Sequence, residues 1–243
     1  VSLSDADATN DGYFSVDDGV TEAFSQLSYD ALTNSDINLN TGVVVDSGLA
    51  YITAMTPVAA QIPPDHEGLG SIYGMTMVWD DLTGIVTSSS ATNVTASYNS
   101  GSIDLYIDFD PYALTLWDKS TFVDGTKVAT IEVTSGGYSL SLDGSAGSSY
   151  ALWGKFTFLM EDFWFNADDG EDLFNLIGDE FLVAYSHGDN DPLSVDIVPT
   201  ATGFTVESDH NSSLEIAVVP EPSTFLLLGG GLLGLGFYAR RRK

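Results

Sequence analysis

The chain has 243 residues, of which 44% are hydrophobic, with 35 acidic and 7 basic side chains and a net charge of −28; it is long enough for one large domain or two small ones. Four of the basic residues are the last four, so Val1 to Val219 sets Lys119, Lys127 and Lys155 against 34 acids, a surface that repels nucleic acid and excludes a nucleic-acid-binding body. Cysteine is absent, which excludes a disulfide scaffold, thiolate zinc sites and cysteine nucleophiles.

The first twenty residues hold no basic stretch and no long apolar run. Together with the apolar C-terminal segment described below, this points to an export signal removed just before Val1. The segment from Asp7 to Asp18 resembles a twelve-residue calcium loop. Asp7, Thr9, Asp11, Ser15 and Asp18 fall at oxygen-ligand positions, Gly12 supplies the sharp turn and Tyr13 a backbone carbonyl. A hard cation needs several such oxygens converging on one point. Thr9 stands where Asp or Asn is usual and no helix precedes the loop, so an acidic turn without an ion remains the alternative.

From there to about residue 216 the pattern is that of strands, and the expected fold is all-β, a single antiparallel β-sandwich or jelly-roll-like domain over 1–217. Ile103, Leu105, Ile107 and Phe109 alternate with Asp104, Tyr106 and Asp108, the two-residue period of a half-buried strand. Further strands are expected over Leu49–Met55, Ser71–Trp79, Asn93–Tyr98, Lys127–Val133, Tyr138–Leu142, Tyr150–Met160, Phe181–Tyr185, Phe204–Glu207 and Ser213–Val218. Turns are expected at Asp124-Gly125, Gly136-Gly137, Asp143-Gly144, Asp169-Gly170 and His187-Gly188. Val20–Leu32 and Glu171–Ile177 are the stretches that admit a short helix.

Aromatic residues cluster from Trp153 to Phe165. Such rings either fill a core or line up on a surface that stacks on sugars. Trp164, Trp153 and Tyr150 are the candidates for a carbohydrate platform. Asp168, Asp169, Glu171 and Asp172, and Asp189 with Asp191 after His187, are acidic clusters that read as solvated turns or weak cation sites. Enzyme motifs are missing: His66-Glu67 begins a zincin pattern, but Gly70 stands where the second histidine belongs. No nucleophile elbow or phosphate loop occurs, and the expectation is that the protein is not an enzyme.

The last 25 residues carry the strongest signal. Pro220 and Pro222 flank Glu221 and favour an extended stalk over 218–224. Phe225 to Ala239 is free of charge, about 22 Å long as a helix, a short membrane span that snorkelling arginines would assist. Arg240, Arg241, Arg242 and Lys243 then form a basic stop-transfer end that leaves the body outside, so 225–243 is expected to be a transmembrane helix with its tail. A buried core helix is disfavoured, because the run is rich in glycine and lacks a polar face.

Val219-Pro220-Glu221-Pro222, the Gly/Leu-rich run and the terminal arginines together resemble the PEP-CTERM sorting domain. The resemblance implies a Gram-negative bacterium, an exosortase that recognises Val219, Pro220, Glu221, Pro222 and Arg240 to Arg242, and a setting of exopolysaccharide, biofilm or floc. A weaker likeness of the body to flocculation-associated proteins of that type rests on Ile72-Tyr73-Gly74-Met75, Leu105-Tyr106-Ile107-Asp108 and the segment from Gly137 to Phe165. The resulting expectation is an exported protein, anchored in the inner membrane until processed and then at the cell surface or in the matrix, with a structural or adhesive role. Its partners would be exosortase, exopolysaccharide and, through the tail, the membrane; calcium is the one expected cofactor. A carbohydrate-binding module and a secreted polysaccharide hydrolase with two paired carboxylates are the alternatives.

Overall fold

The computed structural model describes residues 2–3, 24–57, 69–71, 73–110, 114–115, 117–143, 148–166, 170–177, 182–190 and 195–218. The strands, in chain order, are β1 (Ser2–Leu3), β2 (Phe24–Asn38), β3 (Val43–Pro57), β4 (Gly74–Ser89), β5 (Asn93–Ser100), β6 (Ser102–Asp108), β7 (Thr126–Ser141), β8 (Ser148–Leu159), β9 (Trp164–Phe165), β10 (Leu182–Asn190), β11 (Val195–Pro199) and β12 (Gly203–Val218). The all-β expectation holds. Lys119–Thr121 and Leu173–Leu176 form short 3-10 turns, the second of them within the Glu171–Ile177 stretch.

Each main strand pairs antiparallel with the next along the chain, and β12 then pairs with β2 on one side and β10 on the other. The sheet thereby closes on itself as a meander, simpler than the crossed connections of a jelly roll. Closure pairs most strand edges with one another, which limits recruitment of another chain; among the described strands of this sheet β11 pairs on one side alone, with β12. Two staves are broken lengthwise. β5 and β6 lie end to end against both β4 and β7, interrupted at Gly101, whose positive φ of 114° suits glycine. β10 and β11 likewise share one side of β12. Counting each broken stave once gives eight, the number at which a barrel interior is filled by side chains or holds one small ligand.

The short connections at residues 39–42, 90–92 and 200–202 lie at one end of the barrel together with Leu142, which follows β7. The opposite end carries the start of β2, the end of β12 and the long connections, with Phe24 paired to Pro57 and Leu182 to Val218. Val218, the last described residue, therefore lies at that second end. Residues 219–243 lie outside the described residues, and with them the expected membrane helix and all of the expected stalk but Val218. Among the described residues no helix is long and apolar enough to cross a membrane.

Alternation decides inside from outside. Along β2, Leu27, Tyr29, Ala31, Thr33, Ser35 and Ile37 are buried, while Asn34 and Asp36 are exposed. An outward face of this polarity is the reverse of the apolar belt that a lipid-embedded barrel needs. β2 also corrects the reading of Val20–Leu32 as a stretch that admits a helix, since Phe24–Asn38 is strand. A bulge at Ser25, where the register steps from Phe24/Pro57 to Gln26/Thr56, puts Phe24 and Leu27 on one face three residues apart. That spacing imitates a helical period.

The turn expected at Gly136-Gly137 is likewise corrected, because β7 runs through it. A Cβ on Gly136 would sit 2.6 Å from Leu152 Cδ2 and 2.8 Å from the Ala151 carbonyl oxygen, so the glycine serves close strand approach rather than chain reversal. His187-Gly188 is also within a strand, β10. The two strands expected over 204–207 and 213–218 are one, β12.

Candidate functional site

The barrel interior is not uniformly apolar. Toward the end that carries Val218, residues such as Met75, Leu105, Ile107, Phe156 and Leu159 are buried. Farther along, the inward positions turn polar and aromatic around a cavity lined among others by Tyr29, Asp46, Trp79, Tyr98, Tyr138, Tyr150 and His210. The space open to the centre of a water molecule there is about 50 Å³.

Asp46, an inward residue of β3, is 7% exposed. Its Oδ1 accepts the Trp79 Nε1–H at 2.7 Å, and its Oδ2 accepts the hydroxyls of Ser35 and, at 3.3 Å, Tyr98. Gly48 makes the arrangement possible, since any Cβ there would lie 2.3 Å from Trp79 Cζ2. The indole thus lies flat against β3, where the register with β4 shifts between Asp46 and Gly48. Burial pushes the Asp46 carboxyl up to about 6, against the opposing pull of the Ser35, Trp79 and Tyr98 hydrogen bonds. Tyr98 is itself raised well above the usual phenol range, first by burial and then by the Asp46 charge.

His210 faces the same space from β12 and is 6% exposed. Its Nε2 lies 3.2 Å from the Tyr150 hydroxyl, which lies 2.5 Å from the Tyr29 hydroxyl. The Tyr150 ring stands edge-on to the imidazole at a centroid distance of 5.1 Å. His210 Nδ1 is buried without a hydrogen-bond partner among the described residues. Burial lowers the imidazole to about 4, offset in part by Asp30, so the ring is neutral at pH 7. Thr33 and Ser208 complete the polar side, their hydroxyls 2.6 Å apart.

The described lysines are all elsewhere. Lys119, Lys127 and Lys155 pair with Asp80, Asp104 and Glu132 on the outer surface, where such pairs contribute at most about 1 kcal/mol each. The interior therefore holds a carboxylate with hydrogen-bond donors around it and no cationic side chain among the described residues.

At the other extreme of the chain, the family described as the PEP-CTERM protein-sorting motif matches residues 218–243. The chain ends in a PEP-CTERM sorting motif. The motif supports an exported protein, anchored in the membrane and then processed by an exosortase. The likeness to flocculation proteins finds no such support. No curated protein and no solved structure matches the chain. The PEP-CTERM motif residues Val219, Pro220, Glu221, Pro222 and Arg240 to Arg242 all lie outside the described residues.

The three rings weighed as a sugar platform do not share a surface. Trp164 is fully buried, with its Nε1–H donated at 2.8 Å to the Val128 carbonyl; the core reading holds for it. Tyr150 faces the cavity, and Trp153 is 48% exposed. Among the acidic clusters, Asp172 caps a turn, accepting the backbone N–H groups of Phe174 and Asp162 at 2.9 and 2.7 Å. Asp168, Asp169, Asp191 and His66-Glu67 lie outside the described residues. So does the whole calcium-like loop, from Asp7, Thr9 and Asp11 through Tyr13 and Ser15 to Asp18. Among the described residues no group of three or more His, Asp or Glu is placed to hold a metal ion.

Sequence reasoning missed Asp46 and His210. The signal available was an acidic and a basic residue at positions where strand alternation calls for an inward side chain.

Proposed function

We propose that this is a non-enzymatic surface or extracellular-matrix protein of a Gram-negative bacterium, with a structural or adhesive role in exopolysaccharide, biofilm or floc. The sorting motif at 218–243 carries the reading: a chain bearing it is a delivered cargo, and here the cargo is the acidic barrel. The barrel's long strands and closed sheet suit a component that endures outside the cell. Its outer wall supports the reading too. Asp196 on β11 is exposed directly across from Glu207 on β12, which is also exposed, and like charges so placed oppose pairing. A polyanion of this kind repels its own copies and acidic polysaccharide. Association then runs through divalent cations, calcium foremost, bridging carboxylates between molecules.

The test is retention in the native matrix under chelation. Washing with EDTA is expected to release the protein, and added calcium to restore retention where added sodium at equal ionic strength does not. Retention that is indifferent to EDTA would overturn the bridging mechanism. A carbohydrate-binding role is the second reading, favoured by the exposed Trp153 ring on β8.

A further inference from the structure

We propose that the barrel interior binds a small organic cation, a protonated or quaternary amine with an apolar body, between its aromatic wall and the Asp46 carboxylate. The inference stands independently of the matrix role.

The first observation is the cavity itself. It lies inside an eight-stave barrel, the size class that accommodates one small ligand. Its volume of about 50 Å³ is room for roughly three to five water molecules, which sets the ligand at about five to eight non-hydrogen atoms.

The second is charge. Asp46 is buried on that wall with the donors Ser35, Trp79 and Tyr98, while the described lysines pair on the outer surface. A carboxylate withdrawn from water without a counter-cation is costly to a fold, and a cationic guest offsets that cost. The same wall presents Tyr29, Trp79, Tyr98, Tyr138 and Tyr150, and aromatic faces attract ammonium groups most strongly where water is excluded.

The third is His210. Its Nδ1 is buried and unpartnered among the described residues, on a ring that lines the cavity, with Nε2 held by Tyr150. That leaves one hydrogen-bonding atom for a hydroxyl on the guest. An anion is repelled by Asp46. A bare inorganic cation finds one carboxylate on this wall, Asp46, and most of the lining hydroxyls bonded to one another or to it, whereas calcium takes six to eight converging oxygens.

The test is calorimetric titration of the full-length protein in non-ionic detergent. The probes are choline and the uncharged alcohol in which carbon replaces the ammonium nitrogen. One choline per chain is expected, at least about tenfold tighter than its neutral isostere. Asp46→Asn is expected to bring the two probes within about twofold of each other. Asp36→Asn, on the outer wall beside Ser35, is expected to leave the preference intact. Equal binding of the two probes, no choline binding, or a preference lost with Asp36→Asn would each overturn the proposal. The comparison of probes on the unaltered protein decides the matter even if Asp46→Asn fails to fold.

Discussion

Replacing Trp164 by alanine is expected to lower the free energy of unfolding by about 3–5 kcal/mol, the range for removing a large buried aromatic. Trp164 is fully buried. It packs edge-on to Phe163 at 5.3 Å between centroids and donates to the Val128 carbonyl of β7. It also pairs with Leu3, as Ser2 does with Phe165, in the small sheet of β1 and β9. One indole therefore fastens the segment after β8 to the barrel wall. Trp164→Phe retains most of the apolar contact, and the Val128 carbonyl still accepts the Met160 N–H at 3.0 Å, so about 1–2 kcal/mol is expected there. Urea unfolding of the two variants checks this. A loss below about 1 kcal/mol for the alanine variant would mean that the segment is not held as described.

The second large effect is a pair of opposite pH dependences. Asp46 titrates near 6 in the folded barrel and near 3.8 when unfolded. Its contribution to stability is complete below the unfolded value and is lost as pH rises through about 6, a swing of about 3 kcal/mol. His210 runs the other way, from 6.5 unfolded to about 4 folded. Its contribution is present above 6.5 and is lost as pH falls through about 4, again about 3 kcal/mol. In the unaltered protein the two largely cancel across this window.

The groups facing Asp46 are Ser35, Trp79 and Tyr98, with Tyr138 nearby, and those facing His210 are Tyr29 and Tyr150, with Asp30 acting through its charge. Tyr98 and Tyr138 are shifted upward by burial, away from the window. Relative to the unaltered protein, Asp46→Asn is expected to lose about 3 kcal/mol on going from about pH 7 to pH 4, and His210→Gln to gain about as much. The background from the many surface carboxylates cancels in that comparison. Urea midpoints at the two pH values read it directly, and parallel slopes for both variants would contradict the buried placement of these groups.

The strands that were plain in the sequence are those whose inward residues are all apolar. Ile103, Leu105 and Ile107 alternate without interruption, and β6 is where the pattern put it. What escaped notice was the polar part of the interior. Ser208 and His210 break the apolar run of β12 into two, so one strand read as a pair with a gap. Thr33 and Ser35 likewise interrupt the apolar pattern of β2, whose first part reads as a stretch admitting a helix, and Asp46 that of β3, whose expected strand begins only at Leu49. The residues that line the cavity are therefore the ones that hid it, because alternation is legible only while inside means apolar. Closure of the barrel was equally hidden, since it depends on β12 meeting β2 at a sequence separation of 165 or more at every pair. The sorting motif, by contrast, was legible in full, because it is read from contiguous residues and needs no fold.

The central claim is that residues 218–243 deliver the barrel out of the cell and are then acted on by an exosortase. The intact mass of the native protein, recovered from the extracellular fraction, tests it most directly. A mass lacking the apolar run and the terminal arginines, or one shifted by transfer to a carrier, is the expected result. An extracellular protein whose mass still includes the apolar run and Arg240 to Lys243 would contradict it.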